Sequence, residues 1–332
     1  MDMIRNLLKS MVSSGQPHPL DASEWNPSPV GDVRLPAPIT RRVLMITHNP
    51  ILQTRGGITI KDHFRWNDPE KLAQGYIDDV RECSYNYANY VIHDHIVART
   101  YPLKRDGFRY DETSYLKAWS NRSFHQPDGV DYLELVREFD MIGRIKRDEI
   151  DEVWLFGHPY GGYYESIMAG KGAFWCNAPP LDGTQHCERR FVIMGFNFER
   201  GVGEMLENLG HRAESMLYKV FEGTVGDANL FERFTRYHLK YPNRAECGNV
   251  HFAPNSVRDY DWGNPTPVPS YCDHWYRFPD LSGAPRVVDK SEWGGGDIRA
   301  HHRWWFRHFP HIEGKANGIS WNWWQYVVDP NF

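Results

Sequence analysis

The sequence predicts an α/β fold: a mostly parallel sheet with helices on both faces, and a long Trp-rich irregular C-terminal segment packed over it. Three observations predict it. Short apolar runs alternate with stretches of helical period between residues 41 and 220. Each run stops at turn residues, as strands buried on both faces do. From Tyr241 to Phe332 the periodicity fades, and Pro, Gly, Trp, Asn and His dominate.

The first strand is read in Val43 to Thr47, ending at His48-Asn49-Pro50. Asp68-Pro69 then opens a helix, because Asp caps free N–H groups and Pro suits the first turn. Leu72, Tyr76, Ile77 and Val80 give that helix its apolar face. Tyr90 to Val97, rich in β-branched residues, is the next strand. Tyr132, Leu135, Val136, Phe139 and Ile142 mark one helix over Asp131 to Lys146. Val153 to Phe156 is a strand that runs into Gly157-His158-Pro159-Tyr160-Gly161-Gly162. Phe191 to Phe196 is a further strand, ending at Asn197, and a long helix covers Val202 to Val220. These elements divide the chain into an extended arm over residues 1–40, an α/β core domain over 41–240, and a loop-rich elaboration of the same domain over 241–332.

Composition removes several functions. A net charge of -5 lacks the basic footprint of a nucleic-acid binder. No apolar run approaches the length of a membrane span. Polar residues interrupt Ile4 to Val12, so no signal-peptide core is read there. A cytoplasmic location is expected on that ground, with secretion after signal removal as the alternative. The five cysteines form no C-x-x-C pair, so they are free thiols or one or two disulfides with a remainder. The 13 Trp residues serve either as large core side chains or as platforms for flat ligands.

Ligands of open parallel sheets bind beyond the carboxyl ends of the strands. Three strand ends carry polar residues: His48 and Asn49, His158, and Asn197 followed by Glu199. They are expected on one rim around one pocket, with His158 and Glu199 in catalytic roles and His48, Asn49, Tyr160 and Asn197 binding substrate. The Gly-rich turn is neither a nucleotide-binding fingerprint nor a nucleophile elbow, so no nucleotide cofactor is expected. Set between a strand and a helix, it would cradle an anion on backbone N–H groups, or simply give backbone clearance.

A second constellation lies on the long helix. Glu204, Glu207, His211 and Glu214 follow at spacings of three, four and three, which places them on one helical face. That face lies opposite the apolar stripe and is expected to meet solvent. His211 and Glu214 are placed to chelate one divalent metal, with His251 as third ligand and Glu207 as the neighbouring base. This His-x-x-Glu plus a distant His resembles the zinc set of carboxypeptidase-type metallopeptidases over three residues. That family carries its motif in a loop after a strand, with a longer gap to the third ligand. The resemblance therefore implies a zinc-type ligand set and nothing about the fold.

Two smaller features complete the reading. His93-Asp94-His95 would put both imidazoles on one strand face, as a metal site or as a half-exposed edge. The clusters His301 to Trp305 and Trp321 to Trp324 would line a sugar cleft or fasten loops as core. The function read from all this is a metal-assisted hydrolase acting on a small-molecule, glycan or peptide-like substrate, with zinc as the candidate cation. The alternatives are a metal-free glycosidase using two of Glu199, Glu165, Asp259 and Asp261, and a carbohydrate-binding protein with a Trp-rich surface.

Overall fold

Five strands form one sheet in the computed structural model, which describes residues 34–332. They are β1 (Ile39–His48), β2 (Ala88–Ala98), β3 (Glu152–Gly157), β4 (Ser166–Ala169) and β5 (Phe191–Asn197), in spatial order β2-β1-β3-β5-β4. β2, β1, β3 and β5 run parallel, and β4 pairs antiparallel with β5. The sheet is thus mostly parallel. Of the expected arm, residues 1–33 lie outside the described residues, and Ile39 and Thr40 already belong to β1.

Strict side-chain alternation fills two cores. Val43, Met45, Trp154, Phe156, Val192, Met194 and Met168 enter one core. Their neighbours Leu44, Ile46, Val153, Leu155, Ile193 and Ile167 enter the other. Helix α1 (Pro69–Cys83) covers the first face, and Asp68 caps it by accepting from the amides of Glu70 and Lys71. Helices α2 (Tyr132–Glu138) and α3 (Met141–Lys146) cover the second. The sequence reads these two as one helix. Asp140 breaks it by adopting φ 47°, a left-handed conformation that Asp tolerates better than most residues.

Two further elements depart from expectation. β4 follows the Gly-rich turn where a helix was expected, so the turn opens no helix and has no helix dipole to offer an anion. A bulge in β2 skips His93 opposite Val43 and Leu44, which interrupts the alternation that would pair His93 with His95. His95 instead meets Thr47 at 3.0 Å and Glu70 at 3.4 Å.

The C-terminal tryptophans are core. Trp275, Trp293, Trp305, Trp323 and Trp324 are buried in the same cluster as the first sheet face. His301 and His302, on helix α5 (Ile298–Arg307), are also fully buried. All five cysteines are buried free thiols. Among the described residues, no helix is long and apolar enough to cross a membrane.

Helix α4 (Val202–Val220) packs its stripe of Met205, Leu206, Leu209, Ala213, Met216 and Leu217 into the first core. Arg212 enters that core with its apolar neighbours. Its guanidinium meets Glu152 of β3 at 2.7 Å, and both side chains are essentially inaccessible to solvent. Glu152 also accepts from Trp154 Nε1 at 2.8 Å and from the Tyr90 hydroxyl at 3.2 Å. Removing one member of a buried pair strands the other charge and costs about 3–5 kcal/mol. Urea denaturation of Arg212→Met is expected to show a loss of that size. Adding Glu152→Gln should restore most of it, since no charge is then left unpaired; equal stability of the single and double variants would contradict the pairing.

Candidate metal centre and cleft

A cleft of about 640 Å³ opens beyond the carboxyl ends of β3 and β5. His158 and Tyr160 of the Gly-rich turn line it, together with Asn197, Glu165, and Glu204 and Glu207 of α4. The strand-end rim and the acidic face of α4 therefore meet in one cavity.

The other expected rim residues fall outside the lining. His48 is buried, and its Nδ1 lies 2.7 Å from the hydroxyl of Tyr163. Asn49 is buried too, and its side-chain oxygen accepts from the amide of Lys61. Asn49 thus fastens the segment that follows β1, whereas His48 packs against Tyr163 and Phe139. Glu199 is exposed. Asn197 Oδ1 accepts the Glu199 amide at 2.9 Å, an Asx turn that sends residue 199 outward beside Arg200.

The polar face of α4 is not a solvated one. The segment Asn249 to Tyr260 and helix α5 close over it. Close approach requires Gly210, because a Cβ there would stand 2.7 Å from Val250. Asn249 Oδ1 accepts from the amides of His251 and Phe252 and turns the segment back toward α4. The His211 and His251 rings then meet edge-on with centroids 4.8 Å apart.

Glu207, His211 and His251 each offer a ligand atom, and these atoms lie within 4.8 Å of one another. The carboxylate of this trio is Glu207; Glu214, expected as a ligand, is not a member of it. Glu214 instead orients: one oxygen lies 3.3 Å from His211 Nδ1, and the other accepts from the Val250 amide at 3.3 Å. It thus ties together the two segments that carry the imidazoles. Asp259 stands 3.7 Å from His251 Nδ1, while His251 Nε2 faces Glu207 at 3.3 Å. Each imidazole thus has a carboxylate on its Nδ1 side, at 3.3 Å for His211 and at 3.7 Å for His251. Glu165 reaches to 3.9 Å from His211 Nε2 and is itself held by the Asn177 side chain.

Charge follows the geometry. Burial alone would lower the His211 pKa, but Glu214, Glu165 and Glu207 prevail and raise it to about 9. Burial pushes the Glu207 pKa upward, but His251, His302 and His211 outweigh it and hold it below the usual range. The surrounding carboxylates thus favour the protonated form of His211. His302 stands behind the site: its Nδ1 meets the Ile298 carbonyl at 2.7 Å, and its buried Nε2 has no partner among the described residues.

Sequence reasoning gave Glu165, Asp259 and His302 other roles and passed over Tyr260. The Tyr260 hydroxyl lies 3.1 Å from His251 Nε2. None of these sits at a helical or strand period relative to His211, so no spacing signal marks them. A second group, Cys272, Asp273 and His308, also lies within 4.8 Å. There Asp273 is already paired with Arg286 at 2.6 Å, and a guanidinium at that carboxylate opposes a cation. No known protein-family model matches the chain, and no curated protein is detectably similar to it.

The buried imidazoles below the cleft make a stability prediction. Burial first, then the charges of His158 and Arg109, lowers the His48 pKa from 6.5 to about 3. Burial lowers that of His158 to about 4. Both are neutral when folded, so below pH 6.5 the unfolded chain binds protons that the folded one refuses. Their contribution is complete above the unfolded value and is lost as pH falls from 6.5 toward the folded values. Each adds up to ~1.4 kcal/mol per pH unit to the slope. Unfolding free energy measured at pH 7, 6 and 5 should fall more steeply for the native sequence than for His48→Gln, and parallel curves would rule this out.

Proposed function

We propose that this protein is a metal-dependent hydrolase, with a divalent cation of the zinc class held by Glu207, His211 and His251 at the cleft. The observation that carries the reading is the double layer: three converging ligand atoms, and a carboxylate behind each imidazole. Two nitrogens and one carboxylate oxygen form a borderline ligand set that suits zinc and leaves a position open for substrate or water. The cation would polarise the scissile bond and acidify water.

The chain's own residues supply the rest. Glu165 lines the cleft beside His211 and is the base that takes the proton from water. Glu207 is then a ligand, and Glu199, exposed outside the lining, has no catalytic part. Tyr260 reaches over the centre from the covering segment. His158 and Tyr160 form a wall where a glycan or peptide-like substrate lies. The metal-free glycosidase reading is disfavoured because, of its four carboxylates, Glu165 alone lines the cleft. Asp261 serves a local turn, accepting from the Val257 amide and the Asn264 side chain.

Metal analysis tests the centre. Protein made without a histidine tag and exposed to zinc should retain one equivalent after gel filtration. Glu207→Gln and His251→Ala should lose it. Glu214→Gln should keep the stoichiometry but bind about 10–100-fold more weakly, as expected for a residue behind a ligand. Glu199→Gln should bind as the native sequence does. A native protein that retains no metal would end the reading.

A further inference from the structure

The Gly157–Gly162 turn carries two features that the metal centre does not use. His158 lines the cleft wall, yet its side chain is 3% exposed and its Nε2 meets no protein group among the described residues. Its Nδ1 lies 3.0 Å from the Pro159 carbonyl, which can only accept, so Nδ1 carries the proton and Nε2 is a bare acceptor. That nitrogen is closed off from solvent, and the ring packs edge-to-face on Tyr101 and Tyr115, so His158 supports the wall from behind. Two residues on, Tyr160 is 44% exposed on the same wall. Its ring stacks on Phe124 with centroids 3.4 Å apart, which leaves its other face to the cleft.

The turn is rigid. Lys104, 1% exposed, directs its ammonium at the Tyr160 carbonyl (2.7 Å), the Asp128 carbonyl (2.8 Å) and the Asp128 carboxylate (2.6 Å). All three of its protons are used. Gly162 closes the loop at φ 91°, where a Cβ would stand 1.9 Å from the Asp128 carbonyl. Tyr160 itself adopts φ 61°, a left-handed conformation that is unfavourable for a bulky residue. Strain of this kind persists only where the surroundings impose it, and it gathers at ligand sites.

We propose that this wall is a subsite for a neutral pyranose, the free face of Tyr160 stacking on the sugar's C–H face and the carboxylates of Asp128 and Glu165 accepting from ring hydroxyls. The proposal rests on reading this cleft as the substrate cleft, and it commits to a sugar over a peptide. A pyranose presents an apolar face and hydroxyl donors together, and the cleft offers the aromatic face of Tyr160 beside the acceptor carboxylates of Asp128 and Glu165. Asp128, Glu165, Glu204 and Glu207 line the same cleft, and their charge opposes phosphorylated or acidic sugars.

Saturation-transfer NMR tests it. The probes are the methyl pyranosides of glucose, galactose, mannose and N-acetylglucosamine, with the dipeptide Ala-Ala as comparator. At least one pyranoside should receive saturation at its ring protons. Tyr160→Ala, a surface change, should weaken that binding by about tenfold or more, as expected for loss of one stacking partner. Glu207→Gln should lose zinc and keep the sugar, so failure of the metal reading and failure of this one are separately visible. Saturation of no pyranoside, preference for Ala-Ala, or unchanged binding by Tyr160→Ala would overturn the proposal.

Discussion

The buried pair of Arg212 and Glu152 fixes how the long helix sits on the sheet. A helix that packs by an apolar stripe can roll by a few tens of degrees at little cost, because leucine and methionine side chains adapt. An ion pair sealed from water has no such tolerance: rolling would leave two buried charges uncompensated. Arg212 faces inward on α4, so Glu207 is turned toward the cleft and His211 toward His251 of the covering segment. Tyr90 and Trp154 hold Glu152 from the sheet side, and the strands and the helix share one anchor.

From that anchor the centre is assembled by convergence. α4 supplies Glu207 and His211, and the Asn249–Tyr260 segment supplies His251, Asp259 and Tyr260. Glu165 arrives from the stretch before β4. Glu214 joins the first two by bonding a ring of one and a backbone amide of the other. Few of these contacts are local in sequence. Helix α5 backs the cluster with His302 and is itself tied to α1 by Arg299 and Asp79 at 2.6 Å. The loop-rich third of the chain is therefore what turns a solvent-facing helix surface into an enclosed polar site.

That convergence explains what was legible in the sequence. Periodicity located β1, β2, β3, β5 and α4, because burial on a sheet or a helix stripe is a local pattern. Spacing put Glu207, His211 and Glu214 on one face for the same reason. It could not distinguish ligand from support. Glu214 was read as a ligand because it lies three residues from His211, but contact with the Val250 amide, from a distant segment, gives it the supporting place. Glu199 and His48 were misplaced because a strand end has several directions open to it, and an Asx turn or a buried ring decides among them. The edge strand β4 is four residues long and has no flanking period, so it left no trace. The solvent-facing reading of α4 failed because amphipathicity records where apolar residues point. It does not record what later segments cover.

Two tyrosines of left-handed backbone conformation line the same cavity. Tyr160, Asn177 and Tyr260 all adopt positive φ. Tyr160 and Tyr260 line the cleft, and Asn177 holds Glu165. Asn accepts this conformation readily, whereas a tyrosine does so only under constraint. The constraints are visible: Lys104 binds the Tyr160 carbonyl, and the Tyr260 amide donates to the His251 carbonyl at 3.1 Å. A fold selected for stability alone would put glycine at such positions, since glycine adopts positive φ without penalty. Glycine would remove the two aromatic rings that face the cavity. Keeping tyrosine there preserves a preorganised aromatic wall on either side of a charged floor, and that arrangement belongs to a binding cleft more than to a structural turn.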